Sequence, residues 1–371
     1  MNQHSVHWVG IDLHQRTLTL AVYRGLEKDP LLTKTLPGPN FAELKRILGK
    51  LHVKAPVRVV YEASGCGYVL ARLLKAWGFE CDVAAPSLIP RRPGDRVKTD
   101  RRDALKLASM YRGGLLTPVH IPREEEERLR TLVRTAEAAR KDVRRGQQRV
   151  LKLLQARGLV SPGGKNWTLK FWRWLRGLRL EGLDQISLNH LLAQLETAIG
   201  FAESLRAEIE TQSHEKLCAE PVARLRCLRG LDTLSAMTLA TETIDMRRFA
   251  SPRKFMGWVG LGVSEFTSVH RVQGGITRTG SGRCRRILVE AAWNNRHRPH
   301  VSKALEARLE GQPPAVRAHA WRAQQRLHRT WRRLEPRIGS KKAAVAAARQ
   351  LAGFVWALWL AQPRQLSPHA S

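Results

Sequence analysis

Two aspartates three residues apart, Asp100 and Asp103 in "KTDRRDALKLA", open an apolar-periodic stretch and would share one helix face. That spacing serves one of two chemistries. As a helix cap and a first-turn acid the pair would contribute about 1–2 kcal/mol and nothing more. As half of a hard-oxygen site it would bind a divalent cation. The remaining acids decide between the two. Asp12 lies in "VGIDL" between Ile11 and Leu13 on a strand pattern, where an uncompensated carboxylate is costly and needs a partner. A cap explains nothing there. Glu62 closes a second strand, "VRVVYE", at the carboxyl edge where α/β sheets place ligands. Asp12, Glu62, Asp100 and Asp103 together would suit Mg²⁺ or Mn²⁺. Two such ions about 4 Å apart can serve both the attacking and the leaving oxygen of a phosphodiester.

The elements that must position these acids follow from periodicity. "WVGIDLHQRTLTLAVY" reads as two strands joined by a polar turn at His14 to Arg16, with Val9, Ile11 and Leu13 on one face. The strand ending in Glu62, the helix "GYVLARLLKAWG" and the strand "FECDVAAP" form a right-handed crossover, hence a parallel pair within a mixed sheet. The chain then turns helical. Leu129, Ala136, Val143 and Val150 recur every seven residues, as do Leu132, Ala139, Gly146 and Leu153. This heptad seam, weak at Gly146, can close on a second helix of its own chain or on another copy. A second periodic run covers Leu183 to Ile209, so a helical hairpin is expected, with a Trp-rich basic insert between its arms. Trp167, Trp172 and Trp174 could stack on unpaired nucleotides, but core packing is the better account of them. From Cys218, "LRCLRGLDTLSAMTLATE" reads as helix, tight Gly turn and helix, and Arg-rich helices follow Pro299. Four segments result: 1–122, α/β; 123–215, the helical hairpin; 216–300, a compact helical unit; and 301–371, a basic helical extension.

With 64 Lys+Arg against 32 Asp+Glu, the net charge is +32. An excess of this size calls for a polyanion, and nucleic acid is the natural one. No C-x-x-C pair occurs among the five cysteines, which speaks against a zinc site or disulfide framework and suits a reducing cytosol. "MNQHSVHWVGIDLH" lacks an apolar signal core, so a cytoplasmic protein is expected. The longest apolar run, "LAGFVWALWLA", is short for a bilayer span, and no membrane partner is expected.

The stretches "VGIDLHQRTLTLAVY", "VVYEASG", "KTDRRDALKLA" and, downstream, "LRGLDTLSAMTLATE", "FMGWVGLGVSEFTS" and "GGITRTGSGRCRRILVEAAW" resemble the DEDD-type transposases of bacterial insertion sequences. The resemblance covers roughly residues 6 to 113 and 222 to 297, and its motifs come in the family's order. It implies an RNase H-like N-terminal domain similar to the Holliday-junction resolvase RuvC, a coiled-coil hairpin and a mostly helical C-terminal transposase domain. Asp12, Glu62, Asp100 and Asp103 would then be the metal-binding tetrad. A serine nucleophile is also implied, in the loop ahead of "GGIT". Ser268 matches best, with Ser264 and Ser281 behind it, although Val269 stands where the family often has Gly. A homo-oligomer (dimer or tetramer) joined through the hairpin, and a structured guide RNA beside the DNA of the element ends and target, complete what the resemblance implies.

In "GGITRTGSGRCRR", Arg278, Arg283, Arg285 and Arg286 would meet phosphates around a backbone cradle. Two other functions compete with strand transfer. One is a RuvC-like nuclease that uses the acids and water without a serine; the other is a non-catalytic basic protein whose acids are caps.

Overall fold

The computed structural model describes residues 6–38, 40–90, 99–267 and 271–361. Two compact units divide the chain, Met1–Arg123 and Glu124–Ser371.

The first unit holds a five-stranded mixed sheet. β1 (His7–Leu13) and β2 (Thr17–Arg24) form the expected hairpin about the turn His14 to Arg16, and β3 (Leu32–Pro37) extends it antiparallel. β4 (Val57–Glu62) joins β1 in parallel and β5 (Glu80–Ala84) joins β4 in parallel, giving the order β3-β2-β1-β4-β5. α1 (Phe41–His52) precedes β4, and α2 (Val69–Ala76) is the crossover to β5. Alternation sends Val9, Ile11 and Leu13 of β1, with Val59 and Tyr61 of β4, into one core that also holds Leu44 and Leu48 of α1 and Leu70 and Leu74 of α2.

The opposite face belongs to α3 (Asp100–Arg112), which buries Leu107 against Val60 and Ala84. One residue of β1 makes this possible. A Cβ on Gly10 would stand 2.4 Å from both the Ala104 oxygen and the Ala108 nitrogen, so only glycine lets α3 lie on the strand. Trp8 adds an edge-on contact with Tyr111, ring centroids 5.3 Å apart.

In the second unit α4 (Glu124–Ala156) and α6 (Gly182–Gln212) form the hairpin, with α5 (Leu169–Gly177) at its tip. All eight seam residues of α4 are buried or half-buried. Their partners are in the same chain. Leu188 and Leu195 of α6 and Phe171 and Leu175 of α5 share a core with Val150 and Leu154. The weak point of the seam has its own explanation, since a Cβ on Gly146 would lie 3.1 Å from Leu195 Cδ1. The tryptophans of the insert pack on one another and on Phe171: Trp167 to Phe171 5.0 Å, Trp167 to Trp172 5.6 Å, Phe171 to Trp174 5.5 Å.

Beyond the hairpin come α7 (Ala219–Arg226), α8 (Thr233–Thr243), α9 (Pro252–Trp258), the hairpin of β6 (Val263–Thr267) and β7 (Arg271–Ile276), and α10 (Gly282–Ala292). α11 (Lys303–Leu309), α12 (Pro314–Ile338) and α13 (Ser340–Leu360) follow. A single core takes in Val133 and Ala136 of α4, Leu239 of α8, Leu288 of α10, Trp331 of α12 and Leu351 of α13. The basic helices after Pro299 are thus part of the packing around α10. The apolar run near the C-terminus lies in a 21-residue helix that is long and apolar enough to cross a membrane, so its length alone does not argue against a span. Its Ala343, Ala347, Leu351 and Val355 face are buried in the core of this unit.

Candidate functional site

Three potential ligand groups meet at the edge of the first unit's sheet. Asp12, the sixth residue of β1, lies on the Gly10 face, the face that α3 covers. The N-terminus of α3 is fixed by Thr99, whose extended backbone and hydroxyl, accepting from the Arg102 amide at 3.3 Å, make it the N-cap. Asp100 is therefore the first helical residue and not the cap. Its carboxylate accepts from the Thr17 hydroxyl at 3.4 Å. His14, just past β1, has Nε2 3.4 Å from Asp12 Oδ1. One ligand atom from each of Asp12, His14 and Asp100 lies within 4.8 Å of the others, and this is the one such group of His, Cys, Asp or Glu among the described residues.

Glu62 and Asp103 stand outside that group. Glu62 is nevertheless Asp12's neighbour in the parallel ladder, since both directly follow the Ile11–Tyr61 pair, and its side chain is exposed. Asp103, half-buried, is one helical turn beyond Asp100. Of the four acids, Asp12 and Glu62 are thus neighbours on adjacent strands, and Asp12 and Asp100 come within reach of a single ion. His14 was not among the residues expected from the sequence. Its signal was its position: two residues after Asp12, at the strand end.

The donor set fits a small divalent cation. Two carboxylates supply hard oxygen and an imidazole supplies one nitrogen. Bringing two carboxylates this close is unfavourable unless a cation or a proton intervenes.

The serine and arginine region lies in the second unit. Ser268 falls outside the described residues; the flanking Thr267 and Arg271 pair across β6 and β7. The other serines have evident structural tasks. Ser264 donates its hydroxyl to the Gly275 carbonyl at 2.9 Å. Ser281 caps α10, accepting from the Cys284 amide at 3.3 Å. Cys284 beneath it is fully buried, and burial pushes its thiol up to about 12.

Of the four arginines, three make protein contacts. Arg283 Nη1 donates to Glu137 Oε2 at 2.5 Å, and Arg286 Nη2 donates to Glu137 Oε1. Glu137 is only 4% exposed, while Arg283 and Arg286 keep 38% and 34% of their side-chain surface in solvent. Arg285 donates to the carbonyls of Val259 and Thr279, at 2.9 and 3.2 Å. Arg278 is exposed, in left-handed backbone with φ 56°. A second acid, the half-buried Glu242, accepts from both Nε and Nη2 of Arg134, at 2.7 and 2.8 Å.

Comparison with known proteins bears on both regions. Residues 9–157 match a family model for transposases of the DEDD, IS110 type. Residues 222–306 match the model for transposases of the IS116/IS110/IS902 family. The chain is 41% identical to the putative transposase y4qE of Sinorhizobium fredii over 322 residues, 85% of this chain and 79% of that one. It is 32% identical to the transposase for insertion sequence element IS1533 of Leptospira borgpetersenii over 340 residues, 89% of this chain and 97% of that one. A probable family 20 transposase of Pseudomonas aeruginosa is 25% identical over 246 residues, 64% of this chain and 70% of that one.

Proposed function

Because the chain belongs to the IS110/IS116/IS902 family of insertion-sequence transposases, we propose that it cuts and rejoins DNA through a serine-linked intermediate, with a divalent cation at the acidic site. The observation that carries this reading is the meeting of Asp12 and Asp100 at the edge of a sheet ordered β3-β2-β1-β4-β5. That order also supports the RNase H-like, RuvC-like assignment of the first unit. Asp12 and Asp100 would hold the cation, with Glu62 and Asp103 completing the tetrad. Such an ion, Mg²⁺ or Mn²⁺, supplies charge neutralisation at the phosphodiester oxygens.

Ser268 would be the nucleophile. Its hydroxyl oxygen bonds to phosphorus, the bond from phosphorus to one DNA oxygen breaks, and the hydroxyl proton ends on that departing oxygen. The protein–DNA phosphoester conserves the bond energy that rejoining requires. The occupations of Ser264 and Ser281 support this choice, because both hydroxyls are committed to backbone groups. Exposed Arg278 is the readiest phosphate contact, and the solvent-facing parts of Arg283 and Arg286 would add to it.

DNA and a structured guide RNA would share the +32 charge. A homo-oligomer would use the outer side of α6, where Leu183, Ile186 and Phe201 are exposed, since the α4 seam is already covered.

The test is to trap the adduct. Wild type mixed with element-end DNA should give a covalent complex, and mass spectrometry of the nuclease-trimmed product should place the nucleotide on Ser268. Ser268→Ala should give no adduct while still binding DNA and cation. Cleavage by wild type with no adduct would point to the water-using nuclease instead, and absence of cleavage under any cation would favour a binding protein.

A further inference from the structure

We infer that His14 is a ligand of the acidic site, beside Asp12 and Asp100, and that it turns the site's preference from Mg²⁺ toward first-row transition ions. The inference rests on the cation-site reading above and adds a residue and a selectivity to it.

His14 is held where a ligand would need to be. Its amide donates to the Thr17 carbonyl at 2.8 Å, which closes the β1–β2 turn. Thr17 in turn donates its hydroxyl to Asp100. The turn that carries the imidazole therefore also holds the carboxylate at the start of α3. His14 Nε2 stands 3.4 Å from Asp12 Oδ1, and ligands sharing one ion at about 2.0–2.2 Å are separated by about 3–4 Å. The side chain is 52% exposed against 13% for Asp12, so the imidazole stands on the solvent side of a site whose carboxylate is mostly covered.

The consequence is chemical. Mg²⁺ holds oxygen ligands and gives up water reluctantly, so an imidazole adds little to its binding. Transition ions accept nitrogen readily. A site made of four acids would be indifferent to nitrogen chemistry; one that includes His14 would not. Removing His14 should therefore cost Mn²⁺ affinity more than Mg²⁺ affinity.

The experiment uses the full-length chain and Mn²⁺ as probe, followed by electron paramagnetic resonance with Mg²⁺ as competitor. Wild type should bind Mn²⁺ with a nitrogen hyperfine coupling from one imidazole. His14→Ala and His14→Gln should lose the coupling, and Mn²⁺ affinity should fall by at least about tenfold, with Mg²⁺ affinity nearly unchanged. Asp12→Asn should lose both ions. Wild-type Mn²⁺ affinity in both His14 variants, or no nitrogen coupling in wild type, overturns the inference and leaves the carboxylate site standing. If Asp12→Asn binds both ions as wild type does, or wild type binds neither, the cation-site reading itself fails and takes the inference with it.

Discussion

Two gatherings of acids, one in each unit, differ in the company they keep. In the second unit, Glu137 is nearly sealed from solvent and meets two guanidinium groups, while Glu242 takes a bidentate contact from Arg134. These charges are neutralised from within, and the result joins α4 to α8 and α10. In the first unit, Asp12 and Asp100 are brought toward each other and an imidazole. Crowding like charges stabilises nothing by itself, and an external cation is the counter-charge we propose for it. The comparison teaches that a cluster of carboxylates is read by its counter-charges.

The largest effect should come from breaking the neutralised cluster. Glu137→Ala leaves Arg283 and Arg286 beside an emptied acid position. Each of the two charge-assisted hydrogen bonds lost costs about 1.5 kcal/mol, the low end of the range because both guanidinium groups stay partly solvated. Denaturant unfolding of the full chain should show that loss in the transition of the second unit. Little change would mean that solvent replaces Glu137 easily. Asp12→Asn should do the opposite, leaving stability intact or slightly raised. Its strand-cleavage rate should drop by about 10²–10³-fold, as for removal of other charge-stabilising groups. Nucleic-acid affinity should stay near wild type in a filter-binding assay. A stable, fully active Asp12→Asn would erase the distinction between the clusters.

Gly10→Ala sharpens the comparison by testing position without touching charge. The added methyl meets the backbone of α3 at Ala104 and Ala108, so the helix must retreat. Overpacking of this kind costs about 1–3 kcal/mol. The retreat should also carry Asp100 away from Asp12, and Mn²⁺ affinity should fall along with melting temperature. A variant that melts early yet binds Mn²⁺ normally would show that α3 does not set the site.

The smallest effect concerns pH. His319 of α12 donates Nε2–H to the Phe354 carbonyl at 3.0 Å, and burial holds its imidazole below the ordinary value of 6.5. The unfolded chain therefore takes up this proton more readily than the folded one. The stability that neutral His319 contributes is complete above pH 6.5 and is lost as pH falls through 6.5 toward the folded value. Melting curves between pH 7.5 and about 5 should slope less in His319→Gln than in wild type.

Much of this arrangement was legible in the sequence where neighbours in the chain are neighbours in space. The β1–β2 hairpin, the crossover through α2 and the seven-residue recurrence in α4 are all local patterns, and the structure has them. β3 was harder to read, because only Leu36 of its six residues is buried. Where the seam closes was also hidden, since a heptad names a face and not its partner. The acids of the first unit were found because Asp12 broke an apolar pattern. Glu137 was not, because it looks like one more charge in a charged helix. Only its distant partners, Arg283 and Arg286, reveal it, and no spacing rule connects residues about 150 apart in the chain. The same two arginines read from the sequence as phosphate contacts, with their acid out of view.

The closed hairpin has a consequence for length. With 33 residues, α4 extends about 50 Å, a distance close to that of fifteen base pairs at about 3.4 Å each. Its seam repeats in sevens, and so do Leu188, Leu195 and Ile209 in part on α6. The pair can therefore be trimmed like a ruler with fixed graduations. Excising seven residues from each arm at matching levels would bring α5 about 10 Å nearer the base while it keeps facing the same way. Excising four would rotate the arms out of phase and expose their apolar faces. Melting temperature should tell these edits apart, with the seven-residue version close to wild type and the four-residue version well below it.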